Sequence, residues 1–352
     1  MTVETANSTR VAPPVDDWYR PAIPRKELKQ LMARGDGKAA ANFGMWLACL
    51  AASGYLAYKA VGSFWVFPAF FLYGTIYSSC DARWHECAHG TPFRTRWLNE
   101  VFYFLSSIMN MKEGIYMRWS HTRHHTETIM VGLDPEIQVM RPANLSRVLL
   151  DFFWIPDALQ MFKATISHAF GIPTKEAKDF VPHSEWRKMF WWSRCYLLIY
   201  AGMVVWSVST RSWLPVLFFP LARFYGGWLH QIFSLTQHAG LAENVRDHRL
   251  NTRTVEMNPV FRFLYFNMNY HIEHHMFPMV PFHALPKLHE RVQGELPRTY
   301  SGLVDAFKEI VPTLIKQSKD SSYFVLRELP PTPLPAHESS SGTVDAGETH
   351  YV

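Results

Sequence analysis

The fold class this sequence predicts is an all-α integral membrane protein, with four transmembrane helices in two hairpins beneath a helical cap. Three observations carry that expectation. Two apolar stretches are each long enough for two spans. The segments outside them are long and polar, and alternate with them so that they share one side of the bilayer. Histidine clusters fall just outside the apolar stretches, on that same side.

The first stretch runs from Phe43 to Cys80, with Lys59 as its one charge. As a single helix it would be ~57 Å long at ~1.5 Å per residue. The hydrocarbon core is only ~30 Å thick, so the stretch fits as two spans, about 43–60 and 62–80, with Lys59 near the turn. The second stretch, Phe190 to Leu229, has Arg211 near its middle and splits into spans about 190–209 and 212–229. Arg194 and Arg223 lie nearer the ends, where long side chains can reach the headgroups. WVFPAFFLYGTIY has no polar face, which argues against a helix of a soluble core. The mean hydropathy of −0.10 reflects dilution by the polar segments.

Two hairpins bring the N-terminus, residues 81–189 and everything after 230 to one side. The N-terminal segment carries Arg10, Arg20, Arg25, Lys26, Lys29, Arg34 and Lys38, far more than the turns opposite. The positive-inside bias makes the shared side cytoplasmic, both termini included. TRWLNEVFYFLSSIMNM and LSRVLLDFFWIPDALQMFKATI are apolar but short or interrupted. They read as helices lying in the interface or packed on the cap. Residues 1–20 and 328–352 are polar or Pro-rich and read as disordered tails.

Other features exclude more than they assign. The net charge of +5 is scattered, so no nucleic-acid surface is expected. Cys49, Cys80, Cys87 and Cys195 have neither CxxC nor disulfide spacing and read as reduced thiols. The first 40 residues lack the apolar core of a signal peptide, and no fixed-period repeat is present.

The chain has 17 histidines, and their clustering matters more than their number. His85 and His89 in HECAH stand at i, i+4, on one helical face. His121, His124 and His125 in HTRHH stand at i, i+3, i+4, and His271, His274 and His275 in HIEHH repeat that spacing. Ligand-spaced imidazoles on one side of a bilayer point to a metal centre. The number of neutral donors exceeds what one ion needs, so two metals fit. A redox pair of irons can reduce dioxygen to an oxidant able to break an unactivated C–H bond, which zinc cannot do. Asp134 and Glu136 in DPE can accept the second N–H of ligand imidazoles and so orient them. Glu86, inside the first cluster, is a further candidate for that role.

HECAH, HTRHH and HIEHH, with the spacing between them, resemble the three histidine boxes of membrane fatty acid desaturases and their hydroxylase relatives. The resemblance covers roughly residues 40–315, within a folded domain expected over 21–315. It implies four transmembrane helices, a cytosolic cap holding two irons, and a reaction in which dioxygen removes two adjacent hydrogens from an acyl or lipid-like substrate. It implies a further ligand near the end of the fourth span. LHQIFSLTQHAG offers His230 and His238, and the QHAG context favours His238. Glu86 stands where many acyl desaturases have Asp, a feature shared with hydroxylating relatives. His271 stands where desaturases fused to a cytochrome have Gln. Hydroxylation is therefore the runner-up, and a small amino-acid-derived metabolite, of the rhizobitoxine-precursor type, an alternative substrate. The compact form resembles bacterial members and implies the inner membrane.

Two other classes compete. HECAH also satisfies HExxH, the zinc metalloprotease pattern, but that reading leaves the other box histidines unused. A metal transporter would place its ligands inside the spans. No haem, iron–sulfur or flavin motif is visible, so an external electron donor is expected, a ferredoxin or a cytochrome with its reductase. Lys175, Lys178, Arg246 and Arg249 are basic residues that can meet an acidic partner.

Overall fold

The computed structural model describes residues 17–331. Among them the regular structure is helical, with two isolated β-bridges (Thr254–Tyr270 and Val255–Tyr300) and no β-strand.

A short helix, α1 (Arg25–Leu31), leads into α2 (Asp36–Ala60), the longest helix. The helical stretch Arg25–Ala60 is long and apolar enough to cross a membrane by length and composition. Lys59 lies in the last turn of α2, and the turn follows directly. The chain returns through α3 (Val66–Ser78), which passes Ser79 in helical conformation and continues as α4 (Cys80–His89). The first histidine pair thus extends from the returning helix of the hairpin. α5 (Arg96–Met109) and α6 (Gly114–Thr126) follow, then α7 (Leu145–Asp151), α8 (Ile155–Ala169) and α9 (Lys175–Phe180). The second long helix is α10 (Trp186–Ser209).

The span expected at 212–229 is not one helix. The chain breaks into α11 (Leu214–Phe218), α12 (Ala222–Gly226) and α13 (Trp228–His238). Pro215 opens the first piece, and Pro220, between the first two, lacks the N–H that a continuous helix requires. Among the described residues, Arg25–Ala60 alone meets the length and hydropathy of a span. α3 is too short by itself, and α10 opens with Arg187, Lys188 and Arg194.

The two hairpins meet where α3 crosses α12. A Cβ on Gly226 would stand 2.0 Å from the carbonyl carbon and oxygen of Gly74, so the contact exists only because both positions are glycine. α8 lies along α10 and turns Leu159, Phe162 and Ile166 outward, continuing the exposed Leu149 and Phe153 of the preceding segment. α5 likewise exposes Trp97, Val101 and Leu105. Both segments expected to lie in the interface therefore have an apolar face free of protein.

After α13 the chain forms α14 (His248–Asn251), α15 (Pro259–Leu264), α16 (His271–Met276), α17 (Leu285–Val292) and α18 (Leu303–Gln317). The ordered body extends past 315. The Val325 N–H donates to Gly240 O at 3.0 Å, and Arg327 donates to Thr252 O at 2.9 Å. Of the two expected tails, residues 1–16 and 332–352 lie outside the described residues. Trp18 and Tyr19, inside the first of them, are packed: Trp18 stacks on His248 at 4.2 Å, and the Tyr19 N–H reaches Arg246 O.

Candidate metal centre

Each histidine cluster sits at a helix end that the local sequence defines. α4 carries His85 and His89 and stops at Gly90, whose φ of 64° is the left-handed conformation that glycine adopts freely. The Gly90 N–H closes back on Cys87 O. α6 starts at Glu113, whose carboxylate accepts the N–H groups of Ile115 and Tyr116. Its C-terminal half carries His121, His124 and His125. His238 is the last residue of α13, and His271 the first of α16, whose next turn bears His274 and His275.

The fold brings nine histidines into two groups. His85, His89, His121, His125 and His274 form one, and His124, His238, His271 and His275 the other. Within each group one ring nitrogen per residue lies within 4.8 Å of all the rest. The groups adjoin: the rings of His125 and His275 stack at 4.3 Å.

Nε2 atoms approach one another at 3.1 Å for His89–His121 and His121–His125, and at 3.2 Å for His125–His274 and His271–His275. His121 gives its Nδ1–H to Glu136 at 2.9 Å, so in the neutral ring its Nε2 is a lone pair. Lone pairs converging at such distances repel unless a cation lies among them. Burial pushes His85, His89, His125, His271, His274 and His275 well below the usual imidazole range, so these rings are neutral donors. His85 has neither ring nitrogen hydrogen-bonded, and His238 Nε2 is also buried without a partner. Buried polar atoms left this way call for a ligand. Neutral nitrogen donors, orphaned and convergent, fit transition-metal ions.

The carboxylates singled out from sequence stand behind the rings. Asp134 Oδ2 accepts His124 Nδ1–H at 2.8 Å and the Ile129 N–H. Burial alone would lower His124, but Asp134 outweighs it and the ring is held above its ordinary value. Glu86 is fully buried. It accepts the Thr91 hydroxyl and the Phe282 N–H, and its other oxygen lies 3.6 Å from His274 Nδ1. Burial raises its carboxyl to about 7.

His230 is not in either group; it lies 3.6 Å from Asp81, which also pairs with Lys112 and Arg223. Other partners escaped the sequence reading. His238 donates to the carbonyl of Asn251 at 2.8 Å. Thr128 gives its hydroxyl to His124 O and so accepts from His275 Nδ1 at 3.1 Å. Glu273, inside the third cluster, takes the Thr254 hydroxyl and pairs with His289. Asp81, four residues before His85, and Glu273, inside the third cluster, carried a readable signal.

Comparison with known proteins identifies the family. The family model described as "Fatty acid desaturase" matches residues 62–306, a range that contains all nine histidines. The chain is 23% identical over 246 residues to "Delta(5) fatty acid desaturase fat-4" of Caenorhabditis elegans, covering 62% of this chain and 55% of that protein. It is 23% identical over 248 residues to "Acyl-lipid (9-3)-desaturase" of Physcomitrium patens, covering 62% and 46%. The chain thus spans about half the length of these relatives. With three histidine clusters inside a match of that extent, the chain belongs to the fatty acid desaturase family, a family of oxidoreductases.

Proposed function

We propose that this chain is a dioxygen-dependent membrane desaturase that holds two iron ions in its nine clustered histidines. The observation that carries the reading is the pair of adjoining groups, five and four buried or half-buried imidazoles, with lone pairs converging in each. One iron would take His85, His89, His121, His125 and His274, and the other His124, His238, His271 and His275. When bound, the iron pair supplies the dioxygen chemistry that breaks an unactivated C–H bond. The protein's part is orientation. Glu136, Asp134 and the Asn251 carbonyl hold the proton on Nδ1 of His121, His124 and His238, which leaves Nε2 free for the metal.

In the balanced reaction two hydrogens leave adjacent carbons, and two electrons and two protons join them to reduce one dioxygen to two waters. The electrons come from an external donor, a ferredoxin or a cytochrome with its reductase. The family acts on lipid or acyl substrates, so an acyl-type substrate comes first on that ground. The zinc-protease alternative is disfavoured because Glu86, its required base, is buried against Thr91 and Phe282.

The bilayer setting follows from the family and from surface chemistry. Leu56, Phe67, Phe71, Leu198 and Val205 are exposed on the helices of the two hairpins, and Trp213 just before one, an apolar surface that suits contact with lipid. Four crossings, two per hairpin, with both termini and the histidine cap cytoplasmic in a bacterial inner membrane, are the arrangement we propose.

Metal analysis of the purified chain tests the centre. Two irons per chain are expected. A single tightly held zinc, with no iron after reconstitution, would overturn the reading.

A further inference from the structure

The cavity that meets the histidines is more polar than an alkyl chain alone would call for. It measures about 270 Å³ and reaches His85, His121, His124 and His238. That is just below the ~300–1,000 Å³ usual for drug-sized ligands. Its polar wall includes Lys112, Gln138, Arg147, Asp151, Gln231 and Ser234, and a comparable apolar wall includes Trp84, Met117, Trp154 and Met161. An open apolar groove, lined by Phe67, Phe70, Phe71 and Leu217, shares no residue with it.

Several wall atoms are buried without a partner: the Trp84 indole N–H, both His85 nitrogens, His238 Nε2 and the Gln231 amide. The histidine nitrogens face the metal centre, and Gln231 stands outside it. Gln231 is 5% exposed, and its Oε1 accepts from Gln138 Nε2 at 2.9 Å. Gln138 is itself fixed, accepting the Ser234 hydroxyl at 3.1 Å. With its oxygen taken, Gln231 has a free NH₂ group, buried and without a partner in the structure. A donor held that way costs stability unless something accepts from it. Asp151, also 5% exposed, is held by Arg147 Nε at 2.9 Å and adds charge to the same wall. A methylene chain threaded here would desolvate these groups and return no hydrogen bond.

We infer that this cavity takes a small polar substrate in place of a long acyl chain. An oxygen of that substrate accepts from the Gln231 amide, within a few bonds of the carbons that react. The inference rests on the desaturase reading above and fixes the substrate class for the same site.

The test uses cells of the chain's own source that make the full-length protein intact, as His124→Ala, or as Gln231→Leu. Acyl lipids and water-soluble metabolites are compared by mass spectrometry. The expected result is a water-soluble product two hydrogens lighter than its precursor, lost in His124→Ala, with acyl chains unchanged. Gln231→Leu should keep its membrane level and iron while that product falls about tenfold or more. If Gln231→Leu loses iron, Gln138→Leu, which releases the Gln231 amide, is read the same way. A His124-dependent change in acyl chains alone would overturn the polar substrate and leave the desaturase reading standing. A product unaffected by either glutamine variant would overturn the assignment of this wall. No His124-dependent change in either fraction would overturn both readings.

Discussion

The two histidine groups are built from the same side chain but braced differently. In the group of five, His121 leans on Glu136, while Glu86 stands 3.6 Å from His274, beyond hydrogen-bond distance. In the group of four, one ring leans on a carboxylate, Asp134, while His238 leans on the Asn251 carbonyl and His275 on the Thr128 hydroxyl. A carboxylate behind an imidazole raises its basicity and fixes its tautomer, and a neutral acceptor does the second more than the first. Each group therefore has one ring made more basic by a carboxylate, and the group of four has two further rings oriented by neutral acceptors. Identical ligands can thus make two unequal metal positions.

The largest test of that difference removes ligands. His274→Ala should abolish turnover and cost the group of five its iron, and His271→Ala should do the same for the group of four. Iron content then tells whether the sites fill independently: one iron left in each variant sharpens the comparison, and none left in either breaks it. His238→Ala should lose iron while His230→Ala keeps it. Full iron in His238→Ala, with loss in His230→Ala, would reverse that assignment.

The next effect is on affinity. Glu136→Gln should weaken iron binding about 10–100-fold while the protein still folds, measured by competition with a chelator. Thr128→Val should cost less, about fivefold, because the two hydrogen bonds it removes, to the His124 carbonyl and the His275 ring, are both neutral. If Thr128→Val proved as severe as Glu136→Gln, the braces would be equivalent. The smallest effect is expected at His283, which belongs to neither group; His283→Ala should keep its iron and activity.

Much of this site was readable because ligands cluster by helical spacing. His121, His124 and His125 share a face by arithmetic, and Asp134 and Glu136 lie close enough in sequence to be suspected. Asn251, Thr128 and His289 were not readable, since each meets its partner only through the tertiary fold. Thr128 and His275 are 147 residues apart. The break-up of the expected fourth span was underread. Hydropathy averages over Pro215 and Pro220, while the backbone does not. The first hairpin was clearer because Lys59 falls at its turn, although its first helix begins earlier than the apolar run, at Asp36.

The glycine contact between α3 and α12 bears on how freely parts of this chain can be exchanged with those of a relative. Gly74 lies one short run of helix before His85, and Gly226 one broken run before His238. Where Gly74 and Gly226 touch, no side chain separates the two backbones, so the contact acts as a keyed joint from which both imidazoles are measured. A hairpin transplanted from another protein would have to bring the missing side chain at that joint and the same residue count beyond it. A single-residue deletion within α13 would swing the His238 imidazole by about 100° around the helix axis. The hairpins are therefore interchangeable only as a matched pair.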